Sequence, residues 1–153
     1  MILKTERLHI HLATDEEMRT WIAGEPDEGL TLAYGEMLAA ARQHPEARQW
    51  YAAWFMETED NTRIGELCFK GLAADGTVEI GYGVEPAFQN RGYATEAVRA
   101  ITKWALSEPG VRRISAETED DNPASQKVLL KAGFLPTGER GEEGPLFSLT
   151  KGN

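Results

Sequence analysis

Val78-Glu79-Ile80-Gly81-Tyr82-Gly83-Val84-Glu85-Pro86-Ala87-Phe88-Gln89-Asn90-Arg91-Gly92-Tyr93-Ala94-Thr95-Glu96-Ala97 is the stretch on which the reading of this chain turns. It opens as a strand, apolar but for its glutamates, as a strand buried in mid-sheet is. It passes through a short loop and ends in the first turn of a helix. The loop carries Gln89-x-x-Gly92-x-Ala94, with small residues where backbone amides must approach a bulky ligand. Free N–H groups opening into a helix N-terminus favour an anion, because the amides and the helix dipole present positive partial charge together. A phosphate-bearing ligand on a strand-loop-helix is therefore expected.

Upstream, residues 3–12 alternate around Leu8, Ile10 and Leu12, which predicts one strand with Arg7, His9 and His11 on its other face. Thr14-x-x-Glu17 is a capping box, starting a helix at Asp15 that runs to about Ala23. A second helix is expected from Thr31 to Gln43. The aromatic run Gln49–Glu57 reads as a strand, with Arg63–Lys70 as its hairpin partner across Glu59-Asp60-Asn61. The Trp cluster of that run reads as core. Thr77–Val84 is then the central strand.

Downstream, apolar residues keep helical spacing from Gly92 to Leu106, and Pro109-Gly110 stops that helix. Val111–Thr118 is a strand. Asn122–Ala132 is a helix, with Asn122 as N-cap, Pro123 in its first turn and Gly133 as its stop. Phe134–Thr137 and Leu146–Thr150 are the last strands, around the acidic loop 139–144. The sum is an α/β fold, a mixed sheet of about seven strands with about four helices, in a single domain over residues 1–153. The strand-helix-strand unit from 77 to 118 makes its two strands parallel.

The 153 residues carry a net charge of −9, which argues against nucleic acid or an anionic membrane as partner. Residues 89–113 and 122–134 are nonetheless net basic, so an acidic body carries a basic patch beside the glycine loop. Nothing reads as a signal peptide or membrane span, and one cysteine, Cys68, precludes an internal disulfide; a cytoplasmic protein is expected. Cys68 reads as a small buried hydrophobe, since no neighbour activates it. His9 and His11 lack a third ligand nearby, so no metal is expected.

The pattern resembles the GNAT superfamily of N-acetyltransferases, especially its ribosomal-protein N-terminal acetyltransferase branch. Three pieces carry the likeness: Lys4-Thr5-Glu6-Arg7-Leu8; Glu79-Ile80-Gly81-Tyr82 followed by Gln89-x-x-Gly92-x-Ala94; and Asn122-x-x-Ser125-x-x-Val128-Leu129 ending in Gly133-Phe134. The resemblance implies acetyl-CoA as donor and a primary amine as acceptor. It implies a splayed sheet with pantetheine between the strand ending near Val84 and the one beginning near Val111, and pyrophosphate on the amides of Arg91, Gly92, Tyr93 and Ala94. Tyr82, Gly83, Val84, Gln89, Asn90, Thr95, Asn122, Lys127 and Lys131 are the remaining expected cofactor contacts. His11 stands where that branch often has arginine, and Gln89 lacks the positive charge many relatives place there.

Acetyl transfer requires a deprotonated amine, a stabilised oxyanion and a proton for the departing thiolate. Glu117 and Glu79 occupy positions resembling those of the base in different members of the superfamily, and either acts directly or through water. A backbone amide near Tyr82, Gly83 or Val84, at a bulge in the strand, suits the oxyanion. Many relatives place a tyrosine where Leu129 stands, which leaves Ser125 or water as proton donor. No cysteine is placed to form an acyl-enzyme, so direct transfer in a ternary complex is expected. Acidic segments at 57–60 and 139–143 favour a cationic acceptor, either a protein N-terminus or a small amine. Two other readings stay open: an acyl-CoA-binding module without turnover, and a nucleotide-binding loop, although the Gly-Lys-Ser/Thr of a P-loop is absent. Monomer and homodimer both remain open.

Overall fold

A computed structural model describes residues 1–151, so the last two residues of the expected domain span, 152 and 153, lie outside the described residues. Eight strands form one mixed sheet: β1 (Ile2–Lys4), β2 (Leu8–Leu12), β3 (Ala53–Thr58), β4 (Arg63–Leu72), β5 (Thr77–Val84), β6 (Arg113–Glu117), β7 (Leu135–Arg140) and β8 (Pro145–Thr150). Their order is β1-β2-β3-β4-β5-β6-β8-β7. The helices are α1 (Asp15–Ala23), α2 (Glu28–Gln43), α3 (Tyr93–Ser107) and α4 (Pro123–Lys131), with short 3-10 turns at Pro45–Trp50 and Pro86–Phe88. No helix among the described residues is long and apolar enough to cross a membrane.

The expected α/β mixed sheet with four α-helices is present, and β5 and β6 pair in parallel as the crossover requires. Three local expectations change. The single strand over 3–12 is two strands, because Thr5, Arg7 and Leu8 bend the chain. Thr5 Oγ1 and the Arg7 backbone amide both donate to Glu96 on α3, and the Thr5 amide donates to the Leu8 carbonyl. Trp50 leaves the expected strand for a 3-10 turn that begins at Pro45, and β3 starts at Ala53. The second helix starts three residues early, at Glu28, because the Asp27 carboxylate accepts the Leu30 amide as an N-cap.

The sheet separates two cores, and residue parity along each strand decides which one a side chain enters. Trp54 and Met56 of β3 turn toward α3 and α4, meeting Leu67, Phe69, Ile80, Ile101, Ile114 and Leu129. Ala53 and Phe55 turn the other way, toward Met18 and Trp21 of α1 and Ala41 of α2. Trp54 is fully buried and packs on Trp104 of α3 at 4.9 Å between ring centroids, as the core reading of the Trp cluster requires. Cross-strand partners share a face. Tyr82, opposite Leu67, therefore belongs to the α3/α4 side, and Glu66, opposite Phe55 and Gly83, belongs to the α1/α2 side.

Candidate active site

The sheet opens at its middle. β5 and β6 are paired only from Thr77↔Arg113 to Glu79↔Ser115, after which β5 runs on to Val84 without β6 beside it. The Gly76 carbonyl accepts the Arg112 amide on the β6 side, whereas the Thr77 carbonyl accepts Ala73 on the β4 side. Backbone groups alternate sides along a strand. The amides of Tyr82 and Val84 consequently face the opening rather than a partner strand. The bulge expected near Tyr82, Gly83 or Val84 is not there: β4 and β5 keep register through those residues, and the irregularity lies between Phe69 and Leu72. Splaying, not bulging, frees the β5 amides.

Beyond β5, Pro86–Phe88 makes one 3-10 turn and the chain enters the glycine loop. Asn90 and Gly92 adopt left-handed backbone, at φ 62° and 82°. Gly92 is the residue before α3 and supplies no side-chain cap, so its positive φ curls the amides toward one concavity. Among the described residues, no intrachain acceptor meets any backbone amide from Asn90 to Thr95. The Gln89 side chain closes the loop by donating to the Val84 carbonyl at 2.9 Å.

The opposite wall comes from α4. The Asn122 carboxamide caps the helix by accepting the Ser125 amide at 3.1 Å. Ser125 Oγ lies 2.7 Å from the Tyr82 hydroxyl, which also donates to the Ser125 carbonyl. Burial pushes the Tyr82 phenol above its ordinary value, with the Ser125 contact opposing. Between the walls lies a cleft of about 700 Å³ that runs from Tyr82 and Val84, past Gly92, to Ser125, Lys127 and Lys131. Tyr82, Gly83, Val84, Gln89, Asn90, Gly92, Tyr93, Ala94, Thr95, Asn122, Ser125, Lys127 and Lys131, all expected from sequence, line it together.

Three expected residues lie elsewhere. Arg91 is not in the lining, and its guanidinium is 5.7 Å from the Phe88 ring centre. Glu79 accepts a 2.7 Å ion pair from Lys70 and faces a separate hollow beside Tyr51 and Ser115, because its parity turns it to the α1/α2 side. Glu117 accepts the Glu143 amide at 2.6 Å, and its carboxylate is packed against Gly141 in the β7–β8 turn.

Other features escape a reading of local sequence. Glu96, in the first turn of α3, accepts from Thr5 Oγ1, the Arg7 amide and Arg7 Nε, and Arg7 covers the Tyr93 ring at 4.2 Å. Burial works against the Glu96 charge, but those donors outweigh it and hold the carboxyl below its ordinary value. Thr5 and Arg7 thereby brace the helix that presents the glycine loop. The Lys4–Leu8 motif was the available signal, but nothing local names its partner.

On the far side of β5, Glu66 sits opposite Gly83, its side chain 22% exposed and 3.9 Å from Arg63 Nη1. Burial is the main cause that pushes its carboxyl up to about 7, with Arg63 opposing and Glu85 and Glu25 adding. The sign in the sequence is a lone carboxylate inside the run Ile64-Gly65-Glu66-Leu67-Cys68-Phe69, which is otherwise free of charge. A second cavity of about 560 Å³ lies on this side, walled by Trp21 and Phe55 and edged by Glu25, Glu57, Arg63 and Glu85. His11 stands behind it with both ring nitrogens engaged, by Glu17 at 2.9 Å and Glu57 at 3.3 Å.

Comparison with known proteins bears directly on this arrangement. The family model described as acetyltransferase (GNAT) domain matches residues 4–135. An uncharacterized N-acetyltransferase of Bacillus subtilis, YoaA, is 32% identical over 149 residues, covering 90% of this chain and 84% of its own. The ribosomal-protein-serine acetyltransferase of Escherichia coli is 30% identical over 89 residues, 58% of this chain and 50% of its own. Among solved structures, RimL, a ribosomal L7/L12 alpha-N-protein acetyltransferase in complex with coenzyme A, superposes with a TM-score of 0.78 over 98% of both chains. It is 15% identical, a likeness of fold.

Proposed function

This chain belongs to the GNAT family of acetyltransferases, and on that premise we propose that it moves the acetyl group of acetyl-CoA directly to a primary amine in a ternary complex. The observation that carries the reading is the row of amides from Asn90 to Thr95, which meet no acceptor among the described residues and, Arg91 apart, belong to the lining of the same cleft as Tyr82 and Ser125. These amides and the positive end of α3 hold the pyrophosphate, and Lys127 and Lys131 add charge from α4. Asn122, already capping α4, stands where a pantetheine amide passes. The residues present fit the ligand: donors and cations at one end, the apolar splay between β5 and β6 at the other.

The Tyr82 and Val84 amides face the place where the thioester carbonyl becomes an oxyanion, and donors fixed in advance favour that charge. The Ser125 and Tyr82 hydroxyls form a two-step path that delivers a proton to the departing thiolate, in the role for which many relatives use a tyrosine at the position of Leu129. Leu129 itself is fully buried in the core. Direct transfer is supported by Cys68, whose thiol burial pushes up and whose position opposite Gly81 places it on the α1/α2 side, away from the cleft. A cationic acceptor, small amine or protein N-terminus, suits the acid-edged cavity beyond Phe55.

Thiol release from acetyl-CoA tests the reading against a panel of spermidine, n-propylamine and a short peptide beginning with serine. Release that depends on one of these amines is the expected result. Tight acetyl-CoA binding with no amine-dependent release would identify a binding module instead.

A further inference from the structure

We propose that Glu66 is the general base of this enzyme, taking the proton that the acceptor ammonium must lose before its nitrogen attacks. The inference rests on the N-acetyltransferase reading above and adds a residue outside the cleft. Gly83 is the link. It lines the cleft, and a Cβ placed on it would lie 2.8 Å from Glu66 Oε1. Only a residue without a side chain separates the carboxylate from the space where the thioester sits.

The other two carboxylates flanking the opening are occupied. Glu79 is held by Lys70 at 2.7 Å and Glu117 by the Glu143 amide at 2.6 Å. Glu66, by contrast, receives no hydrogen bond from any described residue; its one ion pair is the 3.9 Å approach of Arg63. Arg63 Nη1 is itself buried without a hydrogen-bond partner, 3.7 Å from the Glu85 carboxylate. The groups facing Glu66 are Arg63 and Cys68 on its own strand, Glu85 after β5, Glu25 between α1 and α2, and Tyr34 of α2. Arg63, 3.9 Å from Glu66, lines the acid-edged cavity together with Glu85, so an ammonium held there has a route to Glu66. A carboxyl raised to about 7 by burial accepts a proton from an ammonium more readily than an exposed one does.

The step balances. Glu66 takes one proton from the ammonium, the freed lone pair forms the C–N bond, and the C–S bond breaks with its electrons going to sulfur. The thiolate takes a proton from the Ser125–Tyr82 pair, which regains one from solvent, while the nitrogen's surplus proton and the one on Glu66 pass to solvent.

The test is E66Q with whichever amine of the panel turns over in the wild type. At pH 7.5, kcat/KM is expected to fall by about 10²-fold or more. The acetyl-CoA Kd should stay within about threefold, and the acid limb of the pH–rate profile near 7 should vanish. A fall of less than tenfold, or an acid limb still in place, overturns the proposal. Should E66Q not fold, E66D carries the test: a displaced acid limb supports Glu66 and an unmoved one overturns it. A wild type that releases no thiol with any amine overturns the enzyme reading and this base with it, whereas wild-type activity surviving E66Q overturns the base alone.

Discussion

Replacing Glu66 by glutamine should make the protein more stable at alkaline pH, and the size of the effect follows from its surroundings. The carboxyl moves from an ordinary 4.5 to about 7 on folding, chiefly because burial penalises its charge. Each pKa unit corresponds to 1.36 kcal/mol, so ionised Glu66 costs the fold roughly 3 kcal/mol once the pH is above 7. The sign follows from a raised folded-state pKa. The stability tied to neutral Glu66 is complete below pH 4.5 and is lost as the pH climbs through about 7. Glutamine keeps the shape and never ionises. Urea melts of wild type and E66Q at about pH 5 and pH 8.5 should therefore differ by a swing of roughly 2–3 kcal/mol, in favour of E66Q at the higher pH. Against a total of about 5–15 kcal/mol, that swing is readily measured. An E66Q protein less stable than wild type at both pH values would refute the reasoning, because it would mean that Arg63 at 3.9 Å more than repays the burial of the charge.

Three further outcomes test the cleft and its bracing. Gly92→Ala places a side chain at φ 82°, so stability should fall by about 1–2 kcal/mol and acetyl-CoA affinity should fall with it; calorimetry showing unchanged affinity would contradict the role of the loop. Tyr82→Phe and Ser125→Ala each break the 2.7 Å hydroxyl pair, and each should lower kcat roughly tenfold or more while leaving the acetyl-CoA Kd in place; wild-type kcat in both would assign the thiolate's proton to solvent. Glu96→Ala removes the acceptor shared by Thr5 and Arg7 and should cost roughly 2–3 kcal/mol in a denaturant melt at pH 7. Its carboxyl is lowered in the fold, so that cost is present above 4.5 and shrinks as the pH falls through the folded value; a cost that does not change between pH 7 and pH 3 would contradict it.

The cleft was legible because its determinants are local. Gly92 and Asn90 set the loop through their own backbone preferences, and Asn122 caps the helix that carries Ser125 three residues on. Both halves then meet through one crossover. Features that depend on strand register were not legible. Glu79, Glu117 and Glu66 all turn to the same face of the sheet, and which of them stays free depends on which neighbour reaches it first, Lys70 in one case and the β7–β8 turn in another. Tyr82 was expected as a cofactor contact; its hydroxyl partner Ser125 lies 43 residues away and shows only in three dimensions. The break in the first strand has the same origin, since the Glu96 that enforces it lies 89 residues beyond Arg7. β7 ran longer than its sequence suggested because it is exposed throughout and held by β8 rather than by a hydrophobic period.

The central claim is that acetyl-CoA lies along the amides of the glycine loop with its thioester at the end of β5. Titrating acetyl-CoA into ¹⁵N-labelled protein and following amide resonances tests this directly. The largest shifts should fall on Tyr82, Val84, Asn90 to Thr95 and Ser125, saturating together with a single affinity. Saturable shifts confined to other residues, or none at all, would contradict it.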